Sequence, residues 1–144
     1  MWELRPSRPG DAGWIAELRA VVLRPDLERL GRYDEVRVRQ RFLDAFDVAH
    51  THVIVVDGAD AGSIALRRED DAVWVEHFYL DPAVQGHGIG TGVLARVLTA
   101  GAGEAFRLNV LQGSAARRLY ERHGFRLERE DAIDVFLHRQ PSPS

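Results

Sequence analysis

The residues best suited to chemistry stand together in Gln85-Gly86-His87-Gly88-Ile89-Gly90-Thr91-Gly92, where glycine alternates with other residues between an apolar run and a helical pattern. Glycine at such places lets successive backbone N–H groups turn toward one point, and the positive end of a following helix adds to their attraction for an anion. A loop of this kind binds phosphate through its main chain and needs no lysine. Two of the ligand classes that use such loops fit poorly. A dinucleotide fingerprint, G-x-G-x-x-G, finds Thr91 and Val93 where its third glycine is required, and it belongs after the first strand of a larger parallel sheet. A P-loop requires a lysine that the chain lacks.

The 144-residue chain contains neither lysine nor cysteine, and all 19 basic residues are arginine. Disulfides, thiolate metal sites, cysteine nucleophiles and lysine bases are thereby excluded, and no metal site is read from the sequence. With 45% hydrophobic and 28% charged residues and a net charge of −3, the composition is that of a globular protein with no bias toward nucleic acid. The length allows one domain, read as residues 1–140, followed by the polar tail Pro141-Ser142-Pro143-Ser144. Both termini are expected to fray. The sequence shows no basic, apolar leader and no apolar run of about 18 residues, so a cytoplasmic location without membrane contact is expected.

The elements that must position the glycine loop read as follows. Trp2 to Arg5 forms a short strand, and Asp11 caps a helix with Ile15, Leu18 and Val22 on one stripe, ended by Pro25. Asp34 to Phe46 is a second helix with Val38, Phe42 and Phe46 inward and Arg37, Arg39, Gln40 and Arg41 turned to solvent or substrate. A hairpin follows, from His52 to Val56, through Asp57-Gly58-Ala59-Asp60, to Gly62 to Arg67, and then a strand from Val73 to Leu80 closes at Asp81-Pro82. After the loop come a helix carrying Val93, Leu94, Val97 and Leu98, a strand from Phe106 to Leu111, a short helix from Ser114 to His123, and two closing strands, Phe125 to Leu127 and Ile133 to His138. The order β-α-α-β-β-β-α-β-α-β-β is that of an α/β fold.

At the loop the chain resembles the GCN5-related N-acetyltransferases, the GNAT family, whose acetyl-CoA signature Q/R-x-x-G-x-G/A is matched by Gln85 to Gly90 after Leu80-Asp81-Pro82. The segment Ala116-Arg117-Arg118-Leu119-Tyr120-Glu121-Arg122-His123-Gly124-Phe125 is similar to the family's second hallmark, A-x-x-L-Y-x-x-x-G-F. One departure is Gly113, where the family often places an asparagine on the pantetheine arm; Ser114 is the neighbouring substitute. The resemblance implies a mixed central sheet of six to seven strands flanked by about four helices. It also implies an N-acetyltransferase moving acetyl from acetyl-CoA to a primary amine by direct attack in a ternary complex, and a homodimer is common among such proteins.

By that resemblance the amides of Gly86, His87, Gly88, Ile89, Gly90 and Thr91 hold the CoA pyrophosphate, with hydrogen bonds from Gln85 and the Thr91 hydroxyl. The pantetheine arm lies along the backbone of Phe78 and Leu80, the Leu80 N–H polarises the thioester carbonyl, Ser114 and Arg117 approach CoA, and Tyr120 protonates the departing thiolate. Glu76 is the candidate base: alternation along the strand puts it on the face of Phe78 and Leu80, and a carboxylate set among aromatics holds its proton more tightly, which suits a base near neutrality. His77, on the opposite face, is the second candidate, and a water chain is a third route. The acceptor pocket is expected between Leu23 and Tyr33, Phe42, Phe46 and the Phe78/Tyr79 pair, open to a small-molecule amine or a peptide amine. A non-catalytic acyl-CoA-binding or sensor module, and more distantly a nucleotide-dependent oxidoreductase, are the competing readings.

Overall fold

The computed structural model describes residues 1–142. In chain order the elements are β1 (Trp2–Pro6), α1 (Ala12–Arg29), α2 (Glu35–Ala45), β2 (Thr51–Val56), β3 (Ala59–Glu69), β4 (Ala72–Leu80), α3 (Ile89–Ala100), β5 (Ala105–Leu111), α4 (Ala116–Arg122), β6 (Arg126–Glu130) and β7 (Asp134–Arg139). The seven strands form one mixed sheet ordered β1-β2-β3-β4-β5-β7-β6, in which β4 and β5 run parallel and all other neighbours antiparallel. Asp57 and Gly58 both take positive φ, 49° and 84°, the conformation that closes a two-residue hairpin in step with strand twist. β3 therefore begins at Ala59 opposite Val56, ahead of the Gly62 read from sequence.

The two sheet faces carry separate cores. Val93, Leu94, Val97 and Leu98 of α3 pack with Val75, Phe106 and Leu108 on one face, and Ile15 of α1 and Phe42 of α2 pack with Val53, Val55 and Tyr79 on the other. Pro25 does not end α1, which runs on to Arg29. Proline removes one donor, and the carbonyl four residues back that loses it belongs to Val21, a residue 58% exposed, so the loss falls on the solvent side of the helix.

Asp11 precedes α1, yet its carboxylate does not cap that helix. It accepts from Arg5 Nη1 and Nη2 at 3.0 and 2.9 Å, the Arg8 N–H at 2.8 Å and Trp14 Nε1 at 2.8 Å, while Arg5 also donates to Asp60. The cluster thus ties β1, α1 and β3 together. The Arg5 guanidinium holds the buried Asp11 carboxyl far below the usual carboxylate range. A depressed folded-state value means that this stabilisation is complete above the unfolded pKa of about 4 and is lost as pH falls below it. Asp11→Asn is expected to destabilise the protein by about 3 kcal/mol. Its melting temperature should lie below wild type by a constant gap above about pH 5, narrowing in acid, and a gap independent of pH would contradict this assignment.

Both ends of the described chain make contacts. The Met1 ammonium pairs with Asp57 at 3.0 Å, and Ser142 donates its N–H to the Ala102 carbonyl at 2.8 Å. Of the polar tail, Pro143 and Ser144 lie outside the described residues.

Two features of β4 shape the site. It pairs with β5 only at Ala72, Val73 and Trp74, opposite Ala105, Phe106 and Arg107, so from Val75 to Leu80 its edge toward β5 has no strand partner. A bulge sits at His77, whose φ is 48°, where the register with β3 jumps from Ala65↔Glu76 to Ser63↔Tyr79. The extra residue reverses the alternation. Val73 and Val75 before the bulge and Phe78 and Leu80 after it all lie on the α3 face. Glu76 consequently stands on the face opposite Phe78 and Leu80, contrary to the expectation from alternation.

Candidate functional site

The loop from Leu80 to α3 is built by local caps. Asp81 accepts the Ala83 N–H at 2.9 Å, a short 3-10 turn spans Pro82–Val84, and Gln85 Nε2 donates to the Leu80 carbonyl at 2.8 Å, bracing the loop across its base. Gly86 and Gly88 take φ of 83° and 78°, the latter at the N-cap of α3. Among the described residues, none of the backbone N–H groups from Gly86 to Thr91 donates to a protein acceptor; the first helical bond runs from Gly92 to Gly88. Six donors at the positive end of a 12-residue helix are therefore free for an anion, which suits a pyrophosphate.

Tyr120 of α4 is 6% exposed, its ring edge-on to Phe78 at 6.5 Å and to Phe125 at 5.7 Å. Burial pushes its hydroxyl well above the ordinary tyrosine value, so it stays protonated through the neutral range. The ring lines a cavity of about 1110 Å³ that occupies the gap between β4 and β5. Phe78, Leu80, Gln85, Gly86, Gly88, Ile89, Gly90, Thr91, Ser114 and Glu76 line the same cavity. His87 and Arg117 do not: His87 is exposed, and Arg117 pairs with Glu121 on its own helix at 3.3 Å. Ser114 Oγ accepts the Ala116 N–H at 3.2 Å and starts α4. Gly113, at φ 77°, faces the Arg29 guanidinium, which occupies the space a side chain there would take.

Glu76 is held differently from expectation. Arg67 Nε and Nη2 donate to its two oxygens at 2.9 and 3.2 Å, and Arg67 itself lies over the Trp74 ring. His77 sits on the α1–α2 face, edge-on to Phe42 at 5.0 Å, with Nδ1 3.1 Å from the Tyr79 hydroxyl. Arg19 Nε donates to that hydroxyl at 3.0 Å, and because a guanidinium only donates, the Tyr79 proton is left for His77 Nδ1. Burial, with Arg19 nearby, lowers the His77 pKa, so the ring is neutral at pH 7. Alternation along the strand could not find this chain, because it exists only through the bulge.

The acceptor side departs from expectation in detail. Leu23, Leu27 and Tyr79 line the cavity, but Phe42 is fully buried behind it and Phe46 packs into the α1–α2 core. Of the α2 polar face, Arg37 and Arg41 reach the cavity, while Arg39 pairs with Glu17 at 2.7 Å and Gln40 with Asp44 at 2.7 Å. Asn109, Asp131 and Asp134 complete the far wall, and nothing in their spacing marked them in the sequence.

Known proteins share this fold. Residues 47–127, more than half of the chain, match the model of the acetyltransferase (GNAT) domain. No curated protein matches in sequence. Among solved structures, the paia N-acetyltransferase from Thermoplasma acidophilum in complex with coenzyme A is similar at TM-score 0.75 and 19% identity, covering 97% of this chain and 99% of that one. An N-acetyltransferase from Staphylococcus aureus Mu50 gives 0.72 at 21% identity over 94% and 98% of the two chains. The ribosomal-protein-S18-alanine N-acetyltransferase from Escherichia coli gives 0.73 at 15% over 100% and 96%. The superpositions show the fold, and the matched domain, spanning the glycine loop and the Tyr120 helix, shows the lineage: the chain belongs to the GNAT family of acetyltransferases.

Proposed function

We propose that this protein is an acetyl-CoA-dependent N-acetyltransferase that passes acetyl directly to a primary amine in a ternary complex. The observation that carries the reading is the set of unpartnered N–H groups from Gly86 to Thr91 opening into the cavity that Tyr120 lines. Bound acetyl-CoA supplies the activated thioester. The loop amides and the Thr91 hydroxyl hold the pyrophosphate, Gln85 braces the loop, and His87 contributes its backbone N–H. The free edge of β4 at Phe78 and Leu80 takes the pantetheine arm as a pseudo-strand, and the Leu80 N–H polarises the thioester carbonyl. Ser114 lies beside that arm, and Arg117 meets CoA only outside the cavity.

Acetyl transfer requires an uncharged amine, and an ordinary alkylamine has a pKa of about 10.4, so a proton acceptor must be at hand. Glu76, oriented by Arg67 on the cavity wall, is assigned that role, through water; His77, neutral and on the acceptor side, is the alternative. The Tyr120 hydroxyl donates to the departing thiolate. No cysteine exists to carry an acetyl-enzyme intermediate, which supports direct attack.

Thiol release from acetyl-CoA, followed against a panel of amines, tests the reading. Amine-dependent release is expected. CoA binding without release from any amine in a broad panel would leave the non-catalytic acyl-CoA module as the better description.

A further inference from the structure

We propose that the acceptor amine carries an oxyanion, a carboxylate or a phosphonate, gripped by Arg37 and Arg41 of α2 together with Arg32 of the α1–α2 loop. The inference rests on the acetyltransferase reading, because it concerns the other half of the same cavity. It begins with charge. Three other arginines of α1 and α2 are each paired: Arg24 with Glu28 at 3.3 Å, Arg29 with Asp26 at 2.8 Å, Arg39 with Glu17 at 2.7 Å. Among the described residues, the guanidiniums of Arg32, Arg37 and Arg41 have no carboxylate within 4.0 Å and no hydrogen-bond partner, although all three line the cavity.

None of the acids of the cavity wall lies within 4.0 Å of these three guanidiniums. Asp26 pairs with Arg29 and Glu76 with Arg67, while on the far wall Asp134 accepts from Asn109 at 3.0 Å and Asp131 from the N–H groups of Ile133 and Asp134. A protein with a net charge of −3 thus keeps three unpaired guanidiniums on the wall of this cavity. Arg37 and Arg41 are four residues apart on one helix, so their like charges repel and disfavour the helix unless an anion sits between them. Planar guanidiniums in such a pair present forked donors that match an oxyanion, which an ammonium acceptor without an acidic group would avoid. Behind them, Arg19 spends Nε on Tyr79 and Nη1 on the Val38 carbonyl, leaving Nη2.

This wall is not the CoA phosphate site. The glycine loop leads into α3, which packs on one face of the sheet; α1 and α2 pack on the other, so the gap between β4 and β5 separates the two basic regions. One anion site would therefore hold the donor and the other the acceptor.

Calorimetry with matched reaction products tests the proposal without turnover. N-acetyl amino acids, their neutral carboxamides and an N-acetylaminoalkylphosphonate are titrated into the protein with and without saturating CoA. The acids are expected to bind about tenfold or more tightly than the amides. That preference should vanish in the double variant Arg37→Gln, Arg41→Gln, which keeps its CoA affinity and fold, and should persist in Arg39→Gln, where a paired arginine is removed. Equal affinities within the pairs, no binding by either member, or a preference that survives the double variant would overturn it. Failure of the wild-type protein to bind CoA would instead overturn the acetyltransferase reading, while the acid-to-amide comparison, made without CoA as well, stands by itself.

Discussion

Replacing Tyr120 by phenylalanine is expected to lower kcat for acetyl transfer by about 10²-fold or more, with CoA affinity and melting temperature close to wild type. The ring keeps its edge contacts to Phe78 and Phe125. The hydroxyl donates to no protein acceptor among the described residues, so its removal leaves no buried group without a partner, the usual source of a large stability loss. What disappears is a donor that burial keeps protonated through the neutral range, on the wall of the cavity proposed to hold the thioester. Steady-state thiol release gives kcat, and calorimetry gives CoA affinity. An acetyl donor with a more acidic thiol leaving group should recover much of the lost rate, since that thiolate needs less help. An unchanged kcat, or a loss matched by weaker CoA binding, would remove Tyr120 from proton donation.

The other large effect concerns binding. Gly88→Val is expected to weaken CoA by about 10²-fold while the protein remains folded. Gly88 has φ 78°, and left-handed backbone penalises any L-residue by about 1–2 kcal/mol, most of all a β-branched one. A Cβ built there meets no protein atom within 4 Å, so the core is spared and the strain falls on the loop. Relaxing that strain turns the N–H groups of Gly88 and its neighbours away from their common focus. Gly88→Ala should give an intermediate loss. If CoA binds Gly88→Val as tightly as wild type, the pyrophosphate lies elsewhere.

What could be read in the sequence was local. The Asp57-Gly58 turn, the Val93/Leu94/Val97/Leu98 stripe, the glycine loop and the A-x-x-L-Y helix each depend on residues a few positions apart, and each stands where it was expected. The failures needed distant partners. The face of Glu76 is decided by a bulge fixed from β3, where Ser63 Oγ donates to the His77 carbonyl at 2.7 Å. The continuation of α1 past Pro25 depends on the exposure of Val21, and Asp11 left its helix because Arg5 and Trp14 surround it. Within α2, four polar residues in succession looked equivalent; Glu17 and Asp44 claim two of them and leave Arg37 and Arg41 to the cavity.

The short parallel seam between β4 and β5 has a further consequence. Three residue pairs join a four-stranded half, β1 to β4, to a three-stranded half, β5, β7 and β6. Beyond those pairs the halves are held by the core under α3, which packs on Val75 of one half and on Phe106 and Leu108 of the other. On the proposed reading a cosubstrate lying in the gap would act as the missing strand, and the free energy of its binding would add to the stability of the folded state.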